Sequence, residues 1–378
     1  MTSTGGSWPP GTGANRTLPE RIGHYRVTGR IGRGAMGVVY SGRDERTGRA
    51  VALKVMMADL EGDAETRERF SREANVAGKM LHRNVINVYE MGEEDGRLYM
   101  VMELLEGETL GDYMKRVGQL PLEHALDLMM QVCEGLAIAH AHAIVHRDIK
   151  PGNLFVLRDG GLKILDFGVA RLANSSMTAS GFIVGTPDFM SPEQARGREI
   201  DQRSDVFSAG AVFYYMLSGT KPFTAPDLPA VLHKVNSVDP APLAPEQCPP
   251  GLWRILMKAL AKPSAARYAD MGQLLADLVR FEQEFDNQTR AMAAAARDLA
   301  IEVTTLARER AAQSGRPVAP FSDALLDRYP VLEERGAEAL GVVPFRRAAL
   351  TAIREDLGRR RLELQAEPAP LRGQRAAT

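Results

Sequence analysis

Hydrophobic residues form short alternating runs in the first hundred positions of the chain and recur at helical spacing afterwards. β-prone residues flank a glycine-rich stretch at Ile31–Tyr40 and predict a hairpin, and Val51–Lys54 predicts a further strand. Helix formers dominate residues 64–79. The longest apolar run, residues 209–217, is too short to span a bilayer and predicts a buried helix. The pattern therefore predicts a β-rich first part followed by a helical part.

One short polar segment, His146–Asn153, carries the most informative chemistry. It places the carboxylate of Asp148, the ammonium of Lys150 and the carboxamide of Asn153 on one loop. Phosphoryl transfer to a hydroxyl uses these three kinds of group. Taken alone, Asp148 could equally be a turn or helix-cap carboxylate, so the interpretation depends on its neighbours along the chain.

Four further motifs surround this segment. Glycines at 32, 34 and 37 would let the backbone pass close over phosphate groups, although glycines also serve ordinary tight turns. Lys54 ends an apolar strand, where a lysine reaching toward water is the ordinary alternative. The last two motifs are Asp166-Phe167-Gly168, at the end of another apolar strand, and Gly185–Glu193. Five motifs in this order leave little room for coincidence.

Together the motifs resemble the eukaryotic-type (Hanks-type) serine/threonine protein kinases, in particular the bacterial soluble subgroup, from about Ile22 to about Phe281. The resemblance implies the α+β class and a two-lobed protein kinase fold, with a β-rich N-lobe, a helical C-lobe and a C-terminal helical extension. The expected division is a flexible tail at 1–21, a kinase domain at 22–282 with lobes at 22–101 and 106–282, a helical extension at 283–365 and a flexible tail at 366–378.

Catalytic roles follow from the resemblance. Asp148 is expected to act as the catalytic base, and Lys150 is expected to neutralise the γ-phosphate during transfer. Thr186 is expected to hydrogen-bond to both of them. Lys54 would pair with the α- and β-phosphates of ATP while Glu73 holds its ammonium; Glu73 would otherwise be an ordinary solvated helix residue.

The resemblance implies ATP and Mg²⁺ as cofactors, with Mn²⁺ as an alternative metal and with Asn153 and Asp166 as the metal ligands. Met102 would stand at the gatekeeper position, and the backbone of Glu103 and Leu105 would meet the adenine. The residues expected to bind the nucleotide are Ile31, Gly32, Gly34, Gly37, Val39, Ala52, Lys54, Met102, Glu103, Leu105, Leu154 and Asp166.

The substrate class and the overall activity can be argued from the same residues. Lys150 and Thr186 resemble the serine/threonine-specific branch, so protein serine and threonine hydroxyls are the expected acceptors, in bacterial signalling. An activation segment such as Asp166–Glu193 disfavours a small-molecule acceptor. The alternative is a pseudokinase scaffold that acts through its fold and its helical tail alone. Such scaffolds usually lack the strand lysine, the base or the metal-binding aspartate, and all three are present here.

Arg147 suggests how the enzyme is regulated. It precedes the base, and a phosphate on the activation loop would supply an anion to pair with it. The candidate acceptors are Ser175, Ser176, Thr178 and Ser180. Thr178 and Ser180 match the positions that bacterial relatives autophosphorylate, whereas the ordinary alternative is a solvated polar loop.

Three other residues have structural roles by resemblance. Asp205 is expected to brace the catalytic loop from behind, and Arg267 is expected to form a buried ion pair with Glu193. The chain departs from the usual pattern at Phe207, where tryptophan is common, and at Ser191, where alanine is more common.

Composition agrees with an enzyme of this kind. The sequence has 44% hydrophobic residues, enough for a substantial core, and its net charge of -1 gives no electrostatic case for nucleic acid or a membrane as partner. Its 2 cysteines, Cys133 and Cys248, show neither metal-ligand spacing nor a disulfide framework. Together with the lack of a recognisable signal peptide, this predicts a cytoplasmic protein.

Large apolar residues recur every seven positions toward the end of the chain: Met271, Leu278, Phe285, Met292, Leu299 and Leu306. The companion positions Thr289, Ala296 and Val303 are only weakly apolar. A coiled-coil dimer is one interpretation. The other is a helix that folds back on Phe345, Leu350, Ile353 and Leu357, with Pro317 and Pro320 ending the first helix and Pro344 starting the second. Self-association or partner docking is the expected role of this tail.

Overall fold

The computed structural model describes residues 18–33, 37–56, 78, 80–166, 187–314 and 343–366. The described chain divides into two units. The first comprises the residues up to Leu120 and His124–Leu278, and the second comprises Pro121–Glu123 and the residues from Val279 onward. The helix predicted at 64–79 lies outside the described residues, apart from position 78.

An antiparallel sheet of six strands forms the first part of the chain, as the alternating pattern predicts. The strands are β1 (Arg21–Ile22), β2 (Tyr25–Arg33), β3 (Gly37–Asp44), β4 (Ala50–Met56), β5 (Val88–Glu94) and β6 (Arg97–Glu103). Their order, β1-β2-β3-β4-β6-β5, places β4 between β3 and β6. Leu53 and Val55 of β4 are buried in the same core cluster as Val101 of β6. The hairpin around the glycine-rich stretch is confirmed by the pairing of β2 with β3.

A second, smaller sheet positions the polar motifs. It contains β7 (Gly107–Thr109), β8 (Leu154–Leu157) and β9 (Leu162–Ile164) in the order β7-β8-β9. Leu154 pairs with Ile164 across the antiparallel β8–β9 hairpin. The residue before Leu154 and the residues after Ile164 therefore lie at the same end of this sheet. This register brings Asn153 and Asp166 to one place, although they are far apart in the printed sequence.

Helices dominate the remainder of the first unit, so the predicted α+β class is confirmed. They are α1 (Leu110–Val117), α2 (Leu122–Ala141), α3 (Pro192–Ala195), α4 (Gln202–Ser218), α5 (Leu228–Ser237) and α6 (Pro250–Ala259). Helix α4 contains the predicted apolar run and is buried along most of its length. Asp201 caps its first turn, and Gly219 ends it in the left-handed conformation that glycine adopts without steric cost. In the part of the chain that is described, every helix is too short or too polar to cross a lipid bilayer.

The second unit is built mainly from two long helices, α7 (Met271–Ser314) and α8 (Val343–Ala366). Leu350, Ile353 and Leu357 of α8 are buried in one cluster with small residues of α7. The α7 members of that cluster are Ala293, Ala296, Ala300 and Val303. The fold-back interpretation therefore fits the structure, and Pro344 lies in the first turn of α8 as predicted. Pro317, Pro320 and the side chain of Phe345 lie outside the described residues.

Where α7 packs against α8, its buried residues differ from those of the seven-residue repeat. Met292 and Leu299 are only partly buried beside the α7–α8 cluster, while Ala296 and Val303, the weakly apolar companions, lie inside it. Small side chains on one helix let large side chains of the other approach its backbone closely, which explains why alanines occupy the centre. Met292 and Leu299 flank this contact, whereas Met271, Leu278 and Phe285 of the same repeat are buried earlier along α7.

Candidate functional site

Asp148 lies at the centre of the polar cluster that the sequence predicts. Its Oδ2 atom accepts hydrogen bonds from Lys150 Nζ at 2.7 Å and from Asn153 Nδ2 at 2.9 Å. Asn153 Nδ2 also donates to the backbone oxygen of Asp148 at 2.8 Å. A 3₁₀ turn, Pro151–Asn153, folds the asparagine back toward the aspartate and buries it. The structure thus brings the predicted carboxylate, ammonium and carboxamide into direct contact.

The backbone on the N-terminal side of Asp148 is held by a buried carboxylate. Asp205 of α4, which is 1% exposed, accepts from the backbone N–H of His146 and of Arg147, each at 2.8 Å. It also lies 2.8 Å from His140 Nε2. Arg147 has φ 67°, a left-handed conformation that is costly for a residue with a Cβ atom. The predicted bracing role of Asp205 is confirmed.

His146 links this loop to the segment that carries Asp166. The backbone N–H of Asp148 lies 3.2 Å from His146 Nδ1, and His146 Nε2 lies 2.9 Å from the backbone oxygen of Leu165. A backbone N–H can only donate and a backbone oxygen can only accept, so we assign the proton of the neutral ring to Nε2. The imidazole is fully buried.

Lys54 and Asp166 form the second polar contact of the site. Strand β4 carries Lys54, which is nearly buried, and its Nζ lies 2.7 Å from Asp166 Oδ1. Asp166 has φ 45° and a carboxylate that is about half exposed. Glu73, the predicted partner of Lys54, lies outside the described residues, as do Gly34, Thr186 and the activation-loop candidates.

The sheet face that carries Lys54 also carries predicted nucleotide-binding residues. Val39 pairs with Lys54 across β3 and β4, and Ala52 pairs with Met102 across β4 and β6. Paired residues share a face, and so do alternate residues of one strand. Of the other predicted positions, Ile31 is exposed near the end of β2 beside Gly32, Leu154 is fully buried in β8, and Glu103 and Leu105 are partly buried at and just after the end of β6.

Comparison with known proteins decides the family. Residues 25–280 match the family model described as protein kinase domain. The chain belongs to the protein kinase family. The probable serine/threonine-protein kinase PknB of Bifidobacterium longum is 40% identical to it over 273 residues, 68% of this chain and 40% of that protein. PknA of Mycobacterium tuberculosis is 40% identical over 256 residues, 66% of this chain and 59% of that protein.

A third relative gives the same picture. The serine/threonine-protein kinase PknB of Mycolicibacterium smegmatis is 36% identical over 277 residues, 71% of this chain and 44% of that protein. The kinase described here thus spans roughly half the length of these relatives. Their names agree with the serine/threonine branch that Lys150 suggests.

Gly37 of the glycine-rich loop has a structural reason as well as a predicted functional one. A Cβ atom at this position would lie 2.2 Å from the backbone oxygen of Val55 on the neighbouring strand β4. Glycine is therefore required here by the close approach of two strands of the kinase sheet, whatever the loop binds.

A buried ion pair ties Glu193 of helix α3 to Arg267, which lies in the stretch between α6 and α7. Arg267 donates to Glu193 Oε1 at 2.7 Å and to Oε2 at 2.8 Å, and its side chain is 0% exposed. It also donates to the backbone oxygens of Ala261, Lys262 and Arg203. Burial opposes the ionisation of Glu193, but hydrogen bonds from Arg267 and Ser204 outweigh it and hold the pKa of Glu193 below its ordinary value. This predicted pair is confirmed.

Lys163 was not anticipated from the sequence. Its Nζ lies 2.7 Å from Glu103 Oε1, which also accepts from the backbone N–H of Asn87 at 2.7 Å. Lys163 further donates to the backbone oxygen of Val85 at 3.3 Å. The pair ties β9 to Glu103, the predicted adenine-contacting position. A lysine in the middle of a short apolar strand was the signal that could have indicated it.

Proposed function

We propose that this kinase transfers the γ-phosphate of ATP to serine and threonine hydroxyls of proteins. The geometry around Asp148 carries the proposal. Lys150 and Asn153 both donate to one carboxylate oxygen, Oδ2. Among the described residues none donates to the other oxygen, Oδ1, and we propose that this oxygen accepts from the acceptor hydroxyl. An aspartate held in one orientation by two donors, with one oxygen left for substrate, suits a base that orients the attacking group.

The oxygen atoms near Asp148 also suit a divalent metal. Asn153 uses its Nδ2 atom on Asp148, and in the described part of the chain no group donates to its Oδ1. Asp166 presents a half-exposed carboxylate. Amide and carboxylate oxygens are ligands that Mg²⁺ and Mn²⁺ prefer. When bound, such a metal neutralises negative charge on the phosphates. We therefore propose Mg²⁺ at Asn153 and Asp166, with Mn²⁺ as the alternative.

The remaining groups have defined tasks in this proposal. Lys54 lies on the same face of the sheet as Val39 and Ala52, and its ammonium binds phosphate oxygens. Asp148 Oδ1 takes the proton of the acceptor hydroxyl. At the same time the hydroxyl oxygen bonds to the γ-phosphorus, and the bond between the γ-phosphorus and the leaving ADP breaks. Lys150, 2.7 Å from Asp148, keeps a positive charge beside the transferring group. Catalysis then consists mainly of positioning and charge stabilisation.

Phosphate transfer from γ-labelled ATP tests the proposal. The purified chain is incubated with Mg²⁺, alone and with a generic basic protein, and a Lys54→Met chain controls for contaminating kinases. We expect label on serine or threonine with the wild-type chain only, and its loss when EDTA removes the metal. Binding of a fluorescent nucleotide without any transfer would instead indicate a scaffold, and would contradict the proposed activity.

We further propose that phosphorylation of the activation loop raises activity through Arg147. No described residue forms an ion pair or hydrogen bond with the guanidinium, which is partly buried. Burial lowers the pKa of Arg147, although Asp205 acts in the opposite direction. A partly buried cation that has no ion-pair partner among the described residues favours the approach of an anion, and a phosphate on Thr178 or Ser180 would supply one.

The double change Thr178→Ala and Ser180→Ala is expected to lower kcat at least about tenfold, because a charge-assisted hydrogen bond is worth about 1.5 to 3 kcal/mol. Steady-state rates of the fully autophosphorylated protein provide the measurement. The matched control is Ser175→Ala with Ser176→Ala, which should leave the rate unchanged. Equal rates for the wild-type chain and the Thr178/Ser180 variant would contradict this form of regulation.

The helical extension is proposed to dock a partner or a second copy, and exposed apolar side chains at Ile301 and Leu362 support this.

We propose the cytoplasm as the location. Both cysteines are buried and unpaired, and burial raises the pKa of each thiol, to about 12 at Cys248. Such thiols behave as small core residues in a reducing compartment.

A further inference from the structure

Gln194 uses both ends of its side-chain amide. It is the third residue of α3, the short helix that follows the activation segment, and Ser191 is the N-cap of this helix. Gln194 Oε1 accepts from the backbone N–H of Ser191 at 3.0 Å, while the backbone N–H of Gln194 lies 3.4 Å from Ser191 Oγ. These two contacts form a capping box. Gln194 Nε2 donates in the other direction, to the backbone oxygen of Arg147 at 2.6 Å.

The acceptor of that last bond belongs to the peptide group that joins Arg147 to Asp148. The other polar atom of the same peptide group, the N–H of Asp148, donates to His146 Nδ1 at 3.2 Å. Arg147 itself is held in the left-handed region, with φ 67°. A residue with a Cβ atom stays in this region only where its surroundings hold it. The hydrogen bond from Gln194 to the backbone oxygen of Arg147 therefore helps to fix the orientation of this peptide group.

We propose that Gln194 is a positioning residue for Asp148. Its amide fixes the Arg147–Asp148 peptide group and thereby directs the Asp148 carboxylate toward the acceptor hydroxyl. Gln194 lines one small pocket together with Asp148, Lys150 and Phe189, so its influence is exerted close to the base. This inference rests on the proposed kinase activity. It adds a coupling between the end of the activation segment and the catalytic loop, through one side chain.

Two variants distinguish the role of the Gln194 side-chain oxygen from the role of its nitrogen. Gln194→Glu keeps an oxygen for the N–H of Ser191, as glutamate does in many capping boxes, but it cannot donate to Arg147 when ionised. Gln194→Lys keeps a donor for Arg147 and loses the cap. If Gln194 positions the base, Gln194→Glu lowers kcat about 10²-fold with an unchanged KM for ATP and an unchanged Tm. Gln194→Lys retains most of kcat and lowers Tm.

The readouts are steady-state phosphate transfer, thermal unfolding, and amide hydrogen exchange in residues 146–150 measured by mass spectrometry. Faster exchange in Gln194→Glu, at equal Tm, supports the contact without requiring catalysis. Wild-type kcat and wild-type exchange in Gln194→Glu would overturn the inference, and so would a loss of kcat that only follows a loss of Tm. A wild-type chain that transfers no phosphate, while Gln194→Glu still speeds exchange, would refute the proposed activity and leave the structural coupling in place.

Discussion

Asparagine in place of Asp148 is expected to lower kcat about 10³-fold, with little change in nucleotide affinity or thermal stability. A general base contributes typically 10² to 10⁴ in rate, and asparagine has no carboxylate to take a proton. Its amide oxygen can still accept from Lys150 and Asn153, so the loop keeps its shape. Lys54 and Asp166, which are proposed to hold the phosphates and the metal, are untouched. Nucleotide binding should therefore survive while transfer does not.

The measurement combines initial rates of phosphate transfer with titration of a fluorescent ADP analogue. Asp159→Asn is the matched control, because it makes the same chemical change in the exposed turn between β8 and β9. That control should retain the wild-type rate. If Asp148→Asn kept more than a tenth of the wild-type kcat, Asp148 would not be the base and another group would have to orient the hydroxyl.

The second large effect concerns stability. Replacing Arg267 by methionine is expected to lower the free energy of unfolding by about 3 to 5 kcal/mol, because it leaves the Glu193 carboxylate unpaired in the interior. The change also removes donors from three backbone oxygens. Denaturant unfolding at pH 7 provides the number. Arg83→Met is the control, since the exposed pair of Arg83 with Glu134 should be worth less than about 1 kcal/mol. Similar losses of unfolding free energy in the two variants would show that the buried pair stabilises the protein no more than the exposed pair.

Acid should reveal the same ion pair. The pKa of Glu193 in the native protein is lower than its ordinary value of 4.5, so this group adds stability above that value. The contribution is lost as the pH falls from 4.5 through the lowered native pKa. In Arg267→Met the unpaired carboxylate protonates more readily, which removes its penalty. The stability difference between the two proteins should therefore shrink as the pH is lowered through 4.5. A difference that stays constant would show that ionic pairing contributes little.

Local pattern and family resemblance predicted much of this kinase. Alternation in Val51–Lys54 indicated a buried strand, and the apolar run at 209–217 indicated a buried helix. Both predictions use only residues that are close together in the sequence. The contacts of Asp205 and the Glu193–Arg267 pair came from resemblance, because such distant pairs leave no local pattern. Asp148, Lys150 and Asn153 were found together because they share one loop.

The contacts of Lys163 and Gln194 could not be predicted in the same way. Lys163 meets Glu103 only after β9 has packed beside Val85, and Gln194 meets Arg147 across 47 positions of sequence. The seven-residue repeat predicted the buried positions of α7 only in part, since Met271, Leu278 and Phe285 are buried but Met292 and Leu299 are only partly buried. Side-chain size suggested that Met292 and Leu299 would be buried, whereas close helix packing favours alanine at the centre.

The anchors of the catalytic loop also have an order along the chain. The backbone N–H of Arg147 depends on Asp205, which lies 58 positions later, and its backbone oxygen depends on Gln194. A ribosome that has already added Asp148 must still add both anchors before the loop can be held. A chain cut short before residue 194 would carry all the residues of the loop without its shape. The loop can therefore take its shape only after synthesis has passed α4, whose last residue is Ser218 of the 378-residue chain.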